Sequence, residues 1–197
     1  TRIETKGEKI TDLPAGGYNH HWTRNIIANE DGSKIYISVG SASNVGEYGL
    51  EEEERRAAIL EINPDGTGEK IYASGLRNPV GMDWNPVTGD LWETEFGPRG
   101  GDEVNLVKPG FNSGWLQVMG PISKSGITED ELVNFPNSKY ADPVFNWLPS
   151  LGITDIEFLN SSKLGDKYTN NIFVGDIGDT TNGYLYYFEV NEDRTGI

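Results

Sequence analysis

The feature that most constrains this chain is a unit it writes three times. It occurs as "NIIANEDGSKIYISVGS" at residues 25–41, "PVGMDWNPVTGDLWETEFG" at 79–97 and "GITDIEFLNSSKLGDKYTNNIFVGDIG" at 152–178. Each copy runs from an apolar strand through a polar turn into a second apolar strand and a Gly-containing loop. Asp31-Gly32, Asn85-Pro86 with Thr88-Gly89, and Asn170-Asn171 mark the turns. A lone strand pair cannot bury its apolar face, so each copy needs partner strands. Candidates lie between the copies. Ile59, Leu60 and Ile62 precede a Pro64-Asp65-Gly66 turn, Ile71 and Tyr72 follow it, and Leu185, Tyr187 and Phe188 come after the third copy. Recurrent four-stranded modules predict an all-β chain with the architecture of a β-propeller, with a β-sandwich as the alternative. With 25 glycines and 10 prolines the chain is well supplied for tight turns. The one helical candidate, "LEEEERRAAIL", offers Glu51–Arg55 and Glu52–Arg56 pairs. It is too short to stand alone and reads as an acidic loop leading into a strand.

A propeller blade takes about 40–50 residues. The 197 residues therefore hold roughly four blades' worth of sequence. The expectation is one domain over residues 1–197 containing part of a larger ring. The remaining blades would come from the rest of a parent chain or from a partner subunit.

The net charge of −15 argues against binding nucleic acid, because such a surface repels phosphate. The chain has no cysteine, which removes disulfides, thiolate metal sites and cysteine nucleophiles from consideration. No apolar run is long enough to predict insertion in a membrane. A small neutral substrate remains compatible with all three observations.

Four segments could carry chemistry. "PAGGYNHHWTRNII" holds both histidines, His20 and His21, and either could be a catalytic base. "ASGLRNPVGMDW" presents Arg77, a planar fork of donors, and Asn78, a donor and acceptor, beside the rigid Pro79. "TEFGPRGGDEVNLV" crowds Glu95, Arg99, Asp102 and Glu103 around two glycine-rich turns that could expose carbonyls to a hard cation. "KPGFNSGWLQV" adds Trp115 as a packing anchor. Asp155, Glu157, Asp166, Asp176 and Asp179 are further oxygen-ligand candidates, though loop acids are usually solvated.

Taken in order, "GGYNHHWTRNIIANEDGSKIYISVGS", "RRAAILEINPDG", "YASGLRNPVGMDWNPVTGDLW" and "GPRGGDEVNLVKPGFNSGW" resemble the glucose/sorbosone dehydrogenase family of soluble quinoproteins, most closely its sorbosone- and aldose-dehydrogenase branch. The resemblance covers nearly the whole chain and is densest over residues 16–115.

It implies a six-bladed β-propeller that binds pyrroloquinoline quinone (PQQ) and calcium and oxidises an aldose sugar at C1. His20, four positions before Arg24, would be the catalytic base, with His21 its rival, expected to point away or to pack beside Trp22. Arg77 and Asn78 would contact the cofactor and reaction centre, and Phe96 would line the cofactor site. The carbonyls of Gly97 and Pro98 would hold the calcium, and Asp102 would pair with and orient the base. The compartment expected is periplasmic or extracellular. "IFVGDIGDTTNG" departs from the family, with Asp176 and Asp179 and no lysine after "FVG". That departure keeps two alternatives in view, a non-catalytic propeller that binds carbohydrate or protein, and a metal-assisted hydrolase of the lactonase kind.

Overall fold

The computed structural model describes residues 6–16, 21–98, 101–178 and 181–197. Their regular structure is β-strand and short 3-10 turns. The first repeat folds as β1 (Ile26–Ala28) and β2 (Ile35–Val39), followed by β3 (Ala58–Ile62) and β4 (Lys70–Ser74). The second gives β5 (Pro79–Trp84) and β6 (Leu91–Glu95), the third β11 (Ile153–Phe158) and β12 (Ile172–Asp176). Between them lie β7 (Asp102–Val107), β8 (Phe111–Asn112), β9 (Lys139–Tyr140) and β10 (Phe145–Trp147), and β13 (Leu185–Phe188) ends the series.

The strands form three small sheets that resemble separate blades. The first runs β1-β2-β3-β4 antiparallel and is extended by the two-residue parallel strands β8 and β9. The second is β10-β7-β6-β5 and the third β11-β12-β13. No closed ring is formed by the described residues, so the full propeller stays outside what this chain displays.

Side-chain alternation explains how the sheets stack. Successive residues on a strand face opposite sides. On β6, Leu91 joins the core shared with the first sheet, beside Tyr36, Ile59 and Met82, while Trp92 joins the core shared with the third, beside Ile153, Ile156 and Ile172. On β7, Val107 takes the first side and Val104 the second. The middle sheet is therefore buried on both faces, and all five residues of β6 are inaccessible.

Two stretches carry elements that the sequence did not predict. "TEFGPRGGDEVNLV", singled out for its glycine-rich turns, also contains the strand β7, because Val104 and Val107 each find a core. In the acidic stretch a 3-10 turn covers Leu50–Glu53. Arg55 pairs with Glu69 (2.6 Å from Nε to Oε1) instead of Glu51, and Glu53 is buried.

Candidate functional site

The strands run so that the end of β2, the start of β5, the end of β6, the start of β7 and the start of β11 lie at one end of the sheets. Arg77 and Asn78, at the entry to β5, are both buried. The Arg77 carbonyl accepts the Ser41 amide at 2.8 Å, and the Asn78 carbonyl accepts the Phe96 amide at 3.0 Å. Glu95 receives the Arg77 amide at 2.8 Å. These contacts fix the Arg77-Asn78 turn from both sides.

The Arg77 guanidinium is held by three contacts. Nε donates to the Asn44 carbonyl (3.1 Å), Nη1 to the Phe96 carbonyl (3.1 Å) and Nη2 to Asn44 Oδ1 (2.5 Å). A guanidinium has five N–H groups, so two remain for a ligand. Burial lowers the pKa of Arg77, opposed by the carboxylates of Glu95, Glu47 and Asp102, and the group keeps its charge. Asn78 Oδ1 is buried with no hydrogen-bond partner. A buried acceptor left unmatched is unusual and marks a place where a donor is expected.

His20 lies outside the described residues. His21 is described. It is buried, with Nδ1 2.9 Å from Ser41 Oγ and 3.1 Å from the Ser41 carbonyl, while the neighbouring Trp22 is 76% exposed. The reason is Gly40. A Cβ at Gly40 would come within 2.4 Å of His21 Cβ and 3.3 Å of Asn78 Oδ1. The missing side chain is the space that lets His21 pack beside Asn78.

Asp102 begins β7. Its carboxylate, fully buried, accepts Gly97 N (3.0 Å) and Ser150 Oγ (2.6 Å) on one oxygen. The other oxygen accepts the amides of Leu151 (2.8 Å), Gly152 (2.7 Å) and Ile153 (3.2 Å). Five donors fill its acceptor sites, so it pins the 96–98 loop to the third sheet. Ser41 is in contact with His21.

Gly97 and Pro98 sit in that loop. The Gly97 carbonyl lies 3.3 Å from Ser150 Oγ, whose proton goes to Asp102, and the Pro98 carbonyl accepts Gly101 N at 3.0 Å. Each carbonyl has a second lone pair for a hard cation. Phe96 is half-buried and serves Arg77 through its backbone carbonyl. Arg99 lies outside the described residues.

Burial pushes Glu95 well above the usual carboxylate range, reinforced by the charges of Glu103 and Glu93. Glu93 is pushed up in the same way, by burial first and then by Glu103. Glu103 is raised by burial as well, although Gly120 N, Asn105 and Ser113 donate to it. Alternation puts all three on the face toward the first sheet.

The other acidic candidates do not join this end. Asp155 and Glu157 lie on β11 and their charges act on Asp83 of β5, whose carboxylate accepts Phe158 N at 2.6 Å. A cavity of about 950 Å³ opens at that opposite end, lined by Asp31, Asp83, Trp84, Asn85, Glu157 and Phe158 among others. Asp176 receives the Tyr184 amide at 2.7 Å, Asp166 begins an exposed 3-10 turn, and Asp179 lies outside the described residues. No group of three acidic or histidine side chains among the described residues could hold a metal ion.

Sequence reasoning missed Asn44, Ser41, Ser43, Glu53 and Ser150. For Ser41, Ser43 and Asn44 the signal was the run of small polar residues in "SVGSASN" directly after a strand.

A model of the family described as Glucose / Sorbosone dehydrogenase matches residues 3–195. Aldose sugar dehydrogenase YliI of Escherichia coli (strain K12) is 36% identical over 133 residues, which is 68% of this chain and 35% of that protein. Quinoprotein glucose dehydrogenase B of Acinetobacter calcoaceticus is 29% identical over 150 residues, covering 60% of this chain and 31% of that protein. The crystal structure of the soluble aldose sugar dehydrogenase from Escherichia coli in the apo-form superposes with a TM-score of 0.65 at 25% identity, over 86% of this chain and 51% of that one. The matches thus span about half or less of the length of these relatives.

Proposed function

The chain belongs to the glucose/sorbosone dehydrogenase family, and on that premise we propose that it is part of an oxidoreductase acting on an aldose sugar with PQQ and calcium. The observation that carries this reading is the pairing of two unspent Arg77 N–H groups with the unmatched, buried Asn78 Oδ1. A polar ligand with both anionic acceptors and a donor fits that pair. In this reading the complete protein is a six-bladed propeller whose other blades lie outside this chain, and it works in the periplasm or outside the cell.

When bound, the quinone supplies a two-electron acceptor polarised by calcium. Arg77 and Asn78 would hold the cofactor, with Phe96 beside it, and the carbonyls of Gly97 and Pro98 would hold the calcium. Arg77 lends positive charge where negative charge accumulates, from a position its three protein contacts fix in advance. His21 takes the C1 hydroxyl proton at the ring nitrogen opposite Ser41. Asp102 is a positioning residue for the calcium loop. His20, the base that the resemblance implies, is the alternative.

The test is reconstitution of the full-length protein with PQQ and calcium, followed by sugar-dependent reduction of an artificial acceptor. His21→Ala is expected to lower turnover by roughly 100-fold or more. His20→Ala is expected to cost much less, and the reverse result would make His20 the base. One observation favours a second reading, a non-catalytic propeller for carbohydrate or protein. Asp176, in place of a lysine, is an acid tied to Tyr184 N. Sugar binding without PQQ binding would select it.

A further inference from the structure

We propose that Ser41 is a positioning residue that fixes His21 with its proton on Nδ1, and that Glu53 holds Ser41 in place through Ser43. The inference rests on the reading of His21 as the base.

The geometry assigns the protons. Ser41 Oγ lies 2.5 Å from the Ser43 carbonyl, and a carbonyl only accepts, so the hydroxyl proton points to Ser43. Ser41 Oγ can then offer His21 Nδ1 only a lone pair at 2.9 Å. The Ser41 carbonyl, 3.1 Å from Nδ1, is also an acceptor. Nδ1 must therefore carry the hydrogen. The neutral ring then has its basic lone pair on Nε2, the nitrogen remote from Ser41.

The support continues inward. Ser43 Oγ donates to Glu53 Oε1 at 2.5 Å, and Glu53 Oε2 accepts the Ala42 amide at 2.8 Å. Ser41, Ser43 and Glu53 are all buried. One carboxylate thus braces Ala42 and Ser43, the two residues that follow Ser41. Histidine bases are commonly oriented by a carboxylate on the far nitrogen. Here the contacting group is neutral, and the carboxylate stands one step behind it.

The test reads the ring directly and needs neither cofactor nor sugar. Long-range proton–nitrogen correlation spectra of the full chain, labelled with nitrogen-15, would be recorded at about pH 8.5, above the ordinary histidine range. His21→Gln identifies the His21 signals. The expected spectrum has a protonated Nδ1 and an unprotonated Nε2, and a protonated Nε2 would overturn the proposal. Ser41→Ala should introduce the Nε2-protonated form, since only the longer carbonyl contact remains. Ser41→Thr should retain the native pattern, and Glu53→Gln should shift it in the direction of Ser41→Ala. A Ser41→Ala spectrum identical to the native one would show that the hydroxyl is not the lock. Should Ser41→Ala fail to fold, the native and Ser41→Thr spectra still decide. Sugar oxidation unaffected by His21→Ala would remove the base reading and leave the tautomer result standing.

Discussion

The Asp102 carboxylate holds the Gly97 amide at 3.0 Å with one oxygen and the Gly152 amide at 2.7 Å with the other, so one buried side chain ties the loop after β6 to the entry of β11. Because Asp102 sits at an even position on β7, it faces the third sheet, where three consecutive amides converge on it. Asp102→Asn would place an amide against N–H donors. It is expected to cost at least about 3 kcal/mol, the scale for breaking a buried charged network. Urea unfolding of native and variant protein checks this. A loss below about 0.5 kcal/mol, the level of an ordinary surface substitution, would remove Asp102 from its positioning role.

Gly40→Ala tests the packing of His21. The added methyl would lie 2.4 Å from His21 Cβ. Overpacking of this kind costs about 1–3 kcal/mol. His21 should lose its contact with Ser41, seen as a changed His21 ring spectrum. Unchanged stability with an unchanged ring signal would contradict the described packing.

Calcium and cofactor affinities should be linked. In the proposed site the calcium would meet the carbonyls of Gly97 and Pro98, and the described residues hold no group of three acidic or histidine side chains that could bind a metal ion. A site completed by the cofactor binds calcium weakly alone, and each ligand strengthens the other by the same factor. Titration calorimetry with calcium, with and without PQQ, measures this. Equal calcium affinity in both arms would count against the assignment of Gly97 and Pro98.

Glu93 gives a pH prediction. Burial and the charge of Glu103 raise its pKa in the folded protein, whereas in the unfolded chain it ionises near about 4.3. Above that value the native state retains a proton that the unfolded state has released, so stability falls as pH rises through the folded pKa. The contribution of the neutral acid is complete below about pH 4. Glu93→Gln removes this titration. Relative to native protein it should gain stability from pH 4 to pH 8, by about 1–3 kcal/mol at the upper end. Thermal melts across that range would show a flat difference if Glu93 were ionised in the fold.

Much of the strand architecture was legible because alternation and turn residues are local. The Asp31-Gly32 turn and the apolar runs on either side of it identify β1 and β2 without reference to any other part of the chain. β7 was hidden because Asp102, Glu103 and Asn105 are polar, and strands buried on both faces normally read as apolar. Their burial is tolerated through partners the sequence places far away, Ser150 to Ile153 for Asp102 and Ser113 and Gly120 for Glu103.

The sequence by itself determined the all-β character, the three repeated strand pairs and the family, since these rest on periodicity, turn chemistry and the order of motifs along the chain. It also singled out the Arg77-Asn78 turn and the Gly97-Pro98 loop as candidates for the chemistry. Only the tertiary structure decided what each polar group is spent on. Asp102 went to backbone amides about 50 residues away, and His21 turned inward because Gly40 leaves room and Ser41 offers two acceptors. The physical reason is that a hydrogen bond is strong only when its partners are brought within about 3 Å. Residues remote in sequence reach that distance through the stacking of the sheets.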